Sequence, residues 1–172
     1  MLKDIILPLL AILVSALAVF YTWRGLKIQR DHNKKSLRPI GKFRLGDYES
    51  NMFIQIDNHG VGPLILKQIY LNGKVIPTEE GLIHQIPSDR IINVRWKNFS
   101  ANYPERTIPA NGSLDLIWWD REKDFKKTEE EINQVKKELR DIFKNWILKI
   151  EYTDIYESEI FEHSLDLTWF GR

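Results

Sequence analysis

The sequence predicts a mainly β protein: a β-sandwich with one inserted amphipathic helix, preceded by a single N-terminal transmembrane helix. Three observations carry this expectation. Residues 5–23 form an uncharged apolar run, IILPLLAILVSALAVFYTW. Short stretches of period-two hydrophobic alternation, separated by turn residues, recur from residue 51 onward. One highly charged stretch, at about residues 122–146, shows helical spacing instead. The chain therefore divides into an anchor (1–23), a basic juxtamembrane linker (24–38) and a sandwich domain (39–172).

An apolar helix of about 19 residues, rising ~1.5 Å per residue, approaches the ~30 Å hydrocarbon thickness of a bilayer. Its backbone polar groups bond to one another, so lipid can surround it. Pro8 stands near the start, where a missing N–H costs least, and Tyr21 and Trp23 stand at the far end, where amphipathic rings favour the headgroup zone. A cleaved signal peptide is the alternative. Its candidate cleavage triplet, Val14-Ser15-Ala16, would cut the middle of the run, and Lys3 is offset by Asp4 in the leading segment.

Charge sets the expected orientation. Arg24, Lys27, Arg30, Lys34, Lys35 and Arg38 follow the run, against Asp31 alone. The positive-inside rule places that flank in the cytoplasm, so the protein is expected in the inner (cytoplasmic) membrane as a single-pass chain, N-terminus out and C-terminal domain cytoplasmic. The chain has no cysteine, which agrees with a reducing compartment. Asn98-Phe-Ser and Asn111-Gly-Ser match glycosylation sequons, which carry no meaning on the cytosolic side. The basic flank suits anionic headgroups, with Arg24, Lys27, Arg30, Lys34 and Lys35 as the contacts, although a topology signal alone also explains it. Residues 39–172 hold 18 basic and 22 acidic side chains, so the domain is mildly acidic and nucleic acid is not an expected partner. Within the run, Ala11, Ser15 and Ala18 share one helix face and form a small-residue packing surface.

The strands are read from alternation. Met52, Ile54 and Ile56 alternate with Phe53, Gln55 and Asp57; Ile92, Val94 and Trp96 share a face, as do Leu114, Leu116 and Trp118. Trp146, Leu148, Ile150 and Tyr152 form another set, and Leu165, Leu167 and Trp169 the last. Asn72-Gly73, between Ile69-Tyr70-Leu71 and Val75-Ile76, predicts a type I′ hairpin, because that turn needs two residues at positive φ. Ala110 to Ser113 marks another turn, and Asp154 to Ser158 separates two strands expected to pair. Short strands with turns between them suggest a sandwich immunoglobulin-like in outline, here without the usual cysteine pair. The strand-borne tryptophans are expected to fill its core.

The inserted helix has Thr128 and Glu131 spaced as a capping box, acidic residues at its start and basic ones later. Ile132, Val135, Leu139, Ile142, Phe143 and Trp146 make one apolar stripe, expected to cover an end or edge of the sandwich rather than to receive a partner.

The segment Asn58-His59-Gly60-Val61-Gly62-Pro63 has the pattern N-x-G-x-G-P between two strands. Gly60 and Gly62 permit positive φ, Asn58 can bond its own backbone, and Pro63 fixes the exit. With Leu64-Ile65-Leu66 after it, the segment resembles a group of uncharacterised bacterial membrane-anchored immunoglobulin-like sandwich proteins. Ile150 to Tyr156 resembles that group's final hairpin, where Glu157 stands in place of a glycine. The resemblance implies a fold and a topology and supplies no catalytic residue. A phosphate-loop reading of Gly60 and Gly62 fails for want of a following helix and a Lys-Ser/Thr pair.

His32, His59, His84 and His163 are scattered without ligand spacing, and no nucleophile elbow is present. The expectation is a non-catalytic, membrane-tethered interaction or sensor module with no cofactor, binding the bilayer and a protein partner or itself. The alternative is a ligand- or infection-gated effector of the bacterial antiphage type, whose helices assemble to disrupt the bilayer.

Overall fold

The apolar run and the basic flank are one uninterrupted helix, α1 (Leu2–Ser36). The computed structural model describes residues 2–77, 79–87, 94–124, 126–157 and 159–172, with the side chains of residues 2–4 and Asp124 excepted. The chain separates into two compact units, Met1–Leu37 and Arg38–Arg172. In the first unit α1 is long and apolar enough to cross a membrane, and its described side chains are solvent-exposed in the isolated chain. Pro8 lies inside the helix without ending it.

The second unit is two antiparallel sheets, a β-sandwich-like fold. The strands are β1 (Gly41–Asp47), β2 (Asn51–Asn58), β3 (Leu64–Leu71), β4 (Lys74–Val75), β5 (Trp96–Phe99), β6 (Thr107–Ile108), β7 (Ser113–Asp120), β8 (Ile147–Thr153) and β9 (Ile160–Asp166). One sheet has the order β1-β2-β7-β5; the other runs β4-β3-β8-β9, with β6 also on β3. The core between them takes Met52, Ile54 and Ile56 from β2, Leu64, Leu66 and Ile69 from β3, and Leu148, Ile150 and Tyr152 from β8. Period-two alternation places the β2 and β8 side chains on the inner faces, as the sequence predicts, whereas on β3 a register shift between Leu66 and Gln68 sets Ile69 three residues after Leu66.

Three strand readings differ. On β7 the register shifts opposite Ile54 and Gln55. Leu116 is the extra residue of a bulge, so Ile117 and Trp119 join Leu114 on the inner side and Trp118 faces out. Alternation alone assigns Trp118 inward, because a bulge inverts parity beyond it. The last set divides: Leu165 lies on β9, whereas Leu167 and Trp169 fall in a 3-10 turn, Leu167–Gly171. Of the set around Arg90 to Trp96, residues 90–93 lie outside the described residues, and β5 begins at Trp96.

The inserted helix, α2 (Glu129–Phe143), is shorter than the charged stretch and follows a 3-10 turn, Arg121–Asp124. Its capping box is formed: Glu131 N donates to Thr128 Oγ1 at 3.3 Å, and Thr128 N donates to Glu131 Oε2 at 2.7 Å. Ile132, Val135, Leu139, Ile142 and Phe143 are buried in the protein's own core, where Phe143 meets Trp146 and Phe170 at 5.0 and 5.3 Å between ring centroids. Polar ties fix the outer side: Arg140 grips Asp47 at 2.6 and 3.0 Å, and Lys136 Nζ donates to Tyr48 O at 2.6 Å.

Candidate functional site

Sheet β1-β2-β7-β5 has an outer face, and strand parity assigns it Asn51, Phe53, Gln55 and Asp57 from β2. Such residues are ordinarily solvated, yet Phe53, Gln55 and Asp57 are buried, at 7%, 2% and 9% exposure. Long side chains from neighbouring strands lie over them. Arg44 Nε donates to Gln55 Oε1 at 3.0 Å and sits 3.3 Å from Asp57 Oδ2. Gln55 donates to Asp115, and Asn98 Nδ2 donates to Asp115 Oδ2 at 2.6 Å. This polar line, Arg44–Gln55–Asp115–Asn98, crosses four strands.

An aromatic line runs beside it. Tyr48 and Phe53 are 6.1 Å apart, Phe53 and Trp118 are 5.1 Å apart, and Lys97 Nζ lies 5.0 Å from the Trp118 ring centre. Lys97 also bonds Asp120 Oδ2 at 2.8 Å. Burial works against the charge on Asp120, but the Lys97 bond, the Glu122 N–H and the nearby lysine charges outweigh it and lower its pKa.

At one end of this face Arg44, Asp57, Asn58, His59, Asn111, Gly112 and Ser113 line a polar cleft of about 170 Å³. Among the described residues, the buried side-chain polar atoms without a partner are Asn51 Oδ1, Asp57 Oδ1 and Trp118 Nε1. All three belong to this one face. Buried polar atoms are normally paired, so these three are exceptions gathered in the layer beneath one face. The arrangement offers aromatic, cationic and amide contacts. No cluster of three potential metal ligands is found among the described residues.

The turn residues singled out in the sequence are structural. Asn58 is buried; its Oδ1 accepts from Ile40 N at 3.2 Å and Gly60 N at 2.9 Å, while Nδ2 faces Gly62 O, Ile108 O and Pro109 O at 2.8–3.2 Å. Gly60 is not at positive φ, contrary to expectation; a Cβ there would lie 2.4 Å from Arg38 O, so close backbone approach requires it. Gly62 supplies a carbonyl, and Pro63 precedes β3. Asn72 and Gly73 adopt φ of 50° and 77°, the expected type I′ pair, and Ile147 N donates to Asn72 Oδ1 at 2.8 Å.

On α1, Ala11, Ser15 and Ala18 are exposed along one face, and Arg24, Lys27, Arg30, Lys34 and Lys35 are exposed on the same helix past the apolar run. The outer-face residues of the sheet were not singled out from sequence. Alternation shows that Gln55 and Asp57 face away from the core, but their partners on β1, β5 and β7 depend on strand order.

Fold and site together define a two-sheet antiparallel domain carried behind one N-terminal apolar helix. Comparison with protein-family models, with curated proteins and with solved structures gave no match for this chain.

Proposed function

We propose that this protein is a non-catalytic, single-pass membrane-anchored recognition module. In this reading α1 spans the cytoplasmic membrane with the N-terminus out, its basic flank rests at anionic headgroups, and an immunoglobulin-like sandwich meets a protein partner in the cytosol. The recognition surface is the outer face of β1-β2-β7-β5. The observation that supports it is the aromatic and cationic line on that face, over which the Arg44 and Lys97 side chains are solvent-accessible. Partner-facing surfaces favour aromatic and arginine contacts of this kind.

The test is a detergent pull-down from native membranes with partner identification, repeated with Arg44→Glu and Lys97→Glu and with Lys67→Glu on the other sheet as control. Loss of the same partner from the first two alone supports the reading; equal recovery from all three overturns it.

A second reading, the gated bilayer-disrupting effector, draws support from the exposed small-residue face at Ala11, Ser15 and Ala18. It requires loss of membrane potential on induction with a cue, blunted by Ser15→Leu. A dye measurement showing steady potential under infection rejects it.

A further inference from the structure

We propose that β9 is an open sheet edge that takes up an extended, basic segment of a partner protein as an added strand. The edge belongs to the sheet opposite the face proposed above, so the two surfaces stand or fall separately.

Strand pairing fixes which backbone groups are open. Leu167 N donates to Trp146 O at 2.9 Å, one step beyond the register that pairs Ile147 with Asp166. In an antiparallel ladder, successive residues turn alternately toward and away from the neighbouring strand. Phe161, His163 and Leu165 therefore bond β8, and Glu162, Ser164 and Asp166 aim their N–H and C=O groups outward. On the far side of β8, Asn72 N donates to Ile147 O at 2.8 Å, which agrees with this parity. Among the described residues, nothing bonds the outward backbone groups of Glu162, Ser164 or Asp166. All three residues are exposed.

Sheet edges are ordinarily guarded by short strands, lysine, proline or bulges, because an open edge pairs with other chains. The other edges here follow that rule. β4 and β6 have two residues each, and β5 has four, with a register shift and Lys97. β1 carries Lys42 and Arg44, and its Gly41 N donates to Tyr152 Oη at 3.0 Å. β9 has seven residues in unbroken register and contains no lysine, proline or glycine. Arg38 lies 4.5 Å from the centre of the Phe161 ring at one end, and beyond Asp166 the chain turns to pack Phe170 on Phe143 of α2. The open stretch is thus Glu162 to Asp166.

Charge names the occupant. Glu162 and Asp166 stand on the outer face of the strand, with Glu151 of β8 directly opposite Glu162. Lys149, beside them, is shared: it lies 2.7 Å from Glu151 and 3.3 Å from Glu162. The bonds to Glu151 and then Glu162 outweigh burial and raise the Lys149 pKa, as a net acidic surrounding does. A second copy paired antiparallel about Ser164 would set each Glu162 opposite an Asp166, and like charges directly opposite destabilise a strand pair. A segment with lysine or arginine four residues apart meets both acids instead. Its inward side chains lie beside His163 and Leu165, which are half-buried on the inner side, so apolar residues fit there. Main-chain bonds to the edge supply affinity, and the alternating side chains supply specificity.

The test uses the full chain in a neutral detergent and three fluorescein-labelled decapeptides, with valine alternating with lysine, with glutamate or with serine. Fluorescence anisotropy should show the lysine peptide binding about tenfold or more tightly than the other two. Ser164→Pro removes an N–H that β8 does not use, so the melting temperature should hold while affinity for the lysine peptide falls about tenfold or more. Glu162→Lys together with Asp166→Lys, both at exposed positions, should reverse the preference to the glutamate peptide. Amide exchange at Glu162, Ser164 and Asp166 should be fast in the free chain and slow once the lysine peptide binds. No binding, equal binding of the three peptides, or an affinity that survives both Ser164→Pro and the charge reversal overturns the proposal. Loss of the lysine peptide on Arg44→Glu instead moves its site to the other sheet and overturns it as well. Self-association that Ser164→Pro abolishes overturns it in favour of a second copy.

Discussion

Asn58 shows how much one side chain can hold. Its amide joins the start of β1, the following turn and the Ile108–Pro109 backbone, using both ends of the group. Asn58→Ala leaves several buried backbone groups unpaired and should cost about 2–4 kcal/mol, read as a lower denaturation midpoint of the full chain in detergent. Glu157 is the converse case. It adopts φ of 48° at the tip of the β8–β9 hairpin, the position where a glycine is the easier residue. Glu157→Gly relieves that strain and forfeits an exposed ion pair to Lys67, so the net gain should be small, about 0.5 kcal/mol.

His163, packed 5.7 Å from Phe43, has its pKa lowered by burial and by the charge of Lys42. The folded state therefore binds its proton less readily than the unfolded chain does. Stability should fall as pH drops below about 6.5, and His163→Gln should flatten the melting temperature between neutral and mildly acidic pH. Asp120 has the opposite sign of origin: its carboxylate is favoured in the fold, so its contribution is present above pH ~4 and is lost as pH falls through the lowered pKa. Lys97→Met should reduce that acid-side loss, seen as a shallower decline in melting temperature below pH ~4.

At the scale of elements, the start and the buried face of α2 were legible in the sequence, but its full length was not. The capping box is present as read, and Ile132, Val135, Leu139, Ile142 and Phe143 of the apolar stripe lie on the helix, while Trp146 stands beyond its end. The stripe packs into the core, so Leu139→Ala should cost about 2–5 kcal/mol through the cavity it leaves. Thr128→Ala should cost about 1 kcal/mol by freeing the helix start. Chemical denaturation of the two variants checks the ranking. The grip of Arg140 and Lys136 on the β1–β2 turn was not legible, because Asp47 lies far away in sequence. The bulge on β7 was hidden for a similar reason. Leu116, Ile117 and Trp119 are all apolar enough for either face, and only pairing with β2 decides which residue is extra.

At the scale of the whole molecule, the apolar helix and the two-sheet unit separate between Leu37 and Arg38. If α1 anchors the protein, fractionation should place the full chain in the membrane pellet, resistant to carbonate wash. Replacing Leu10 and Leu13 with lysine should release it, since each charge at mid-span costs about 3 kcal/mol on insertion scales.

The sequence by itself determined the apolar helix, the strand-rich character of the rest, the type I′ hairpin and the capped amphipathic helix. Each rests on neighbours within a few residues, where spacing and side-chain type fix the local backbone. Only the tertiary structure decided the strand order, the parity reversal on β7, the reason for Gly60 and the assembly of Arg44, Gln55, Asp115 and Asn98 on one face. Those depend on which distant segments lie side by side, and the backbone groups that pair strands are the same for every non-proline residue, so side-chain identity does not name the partner.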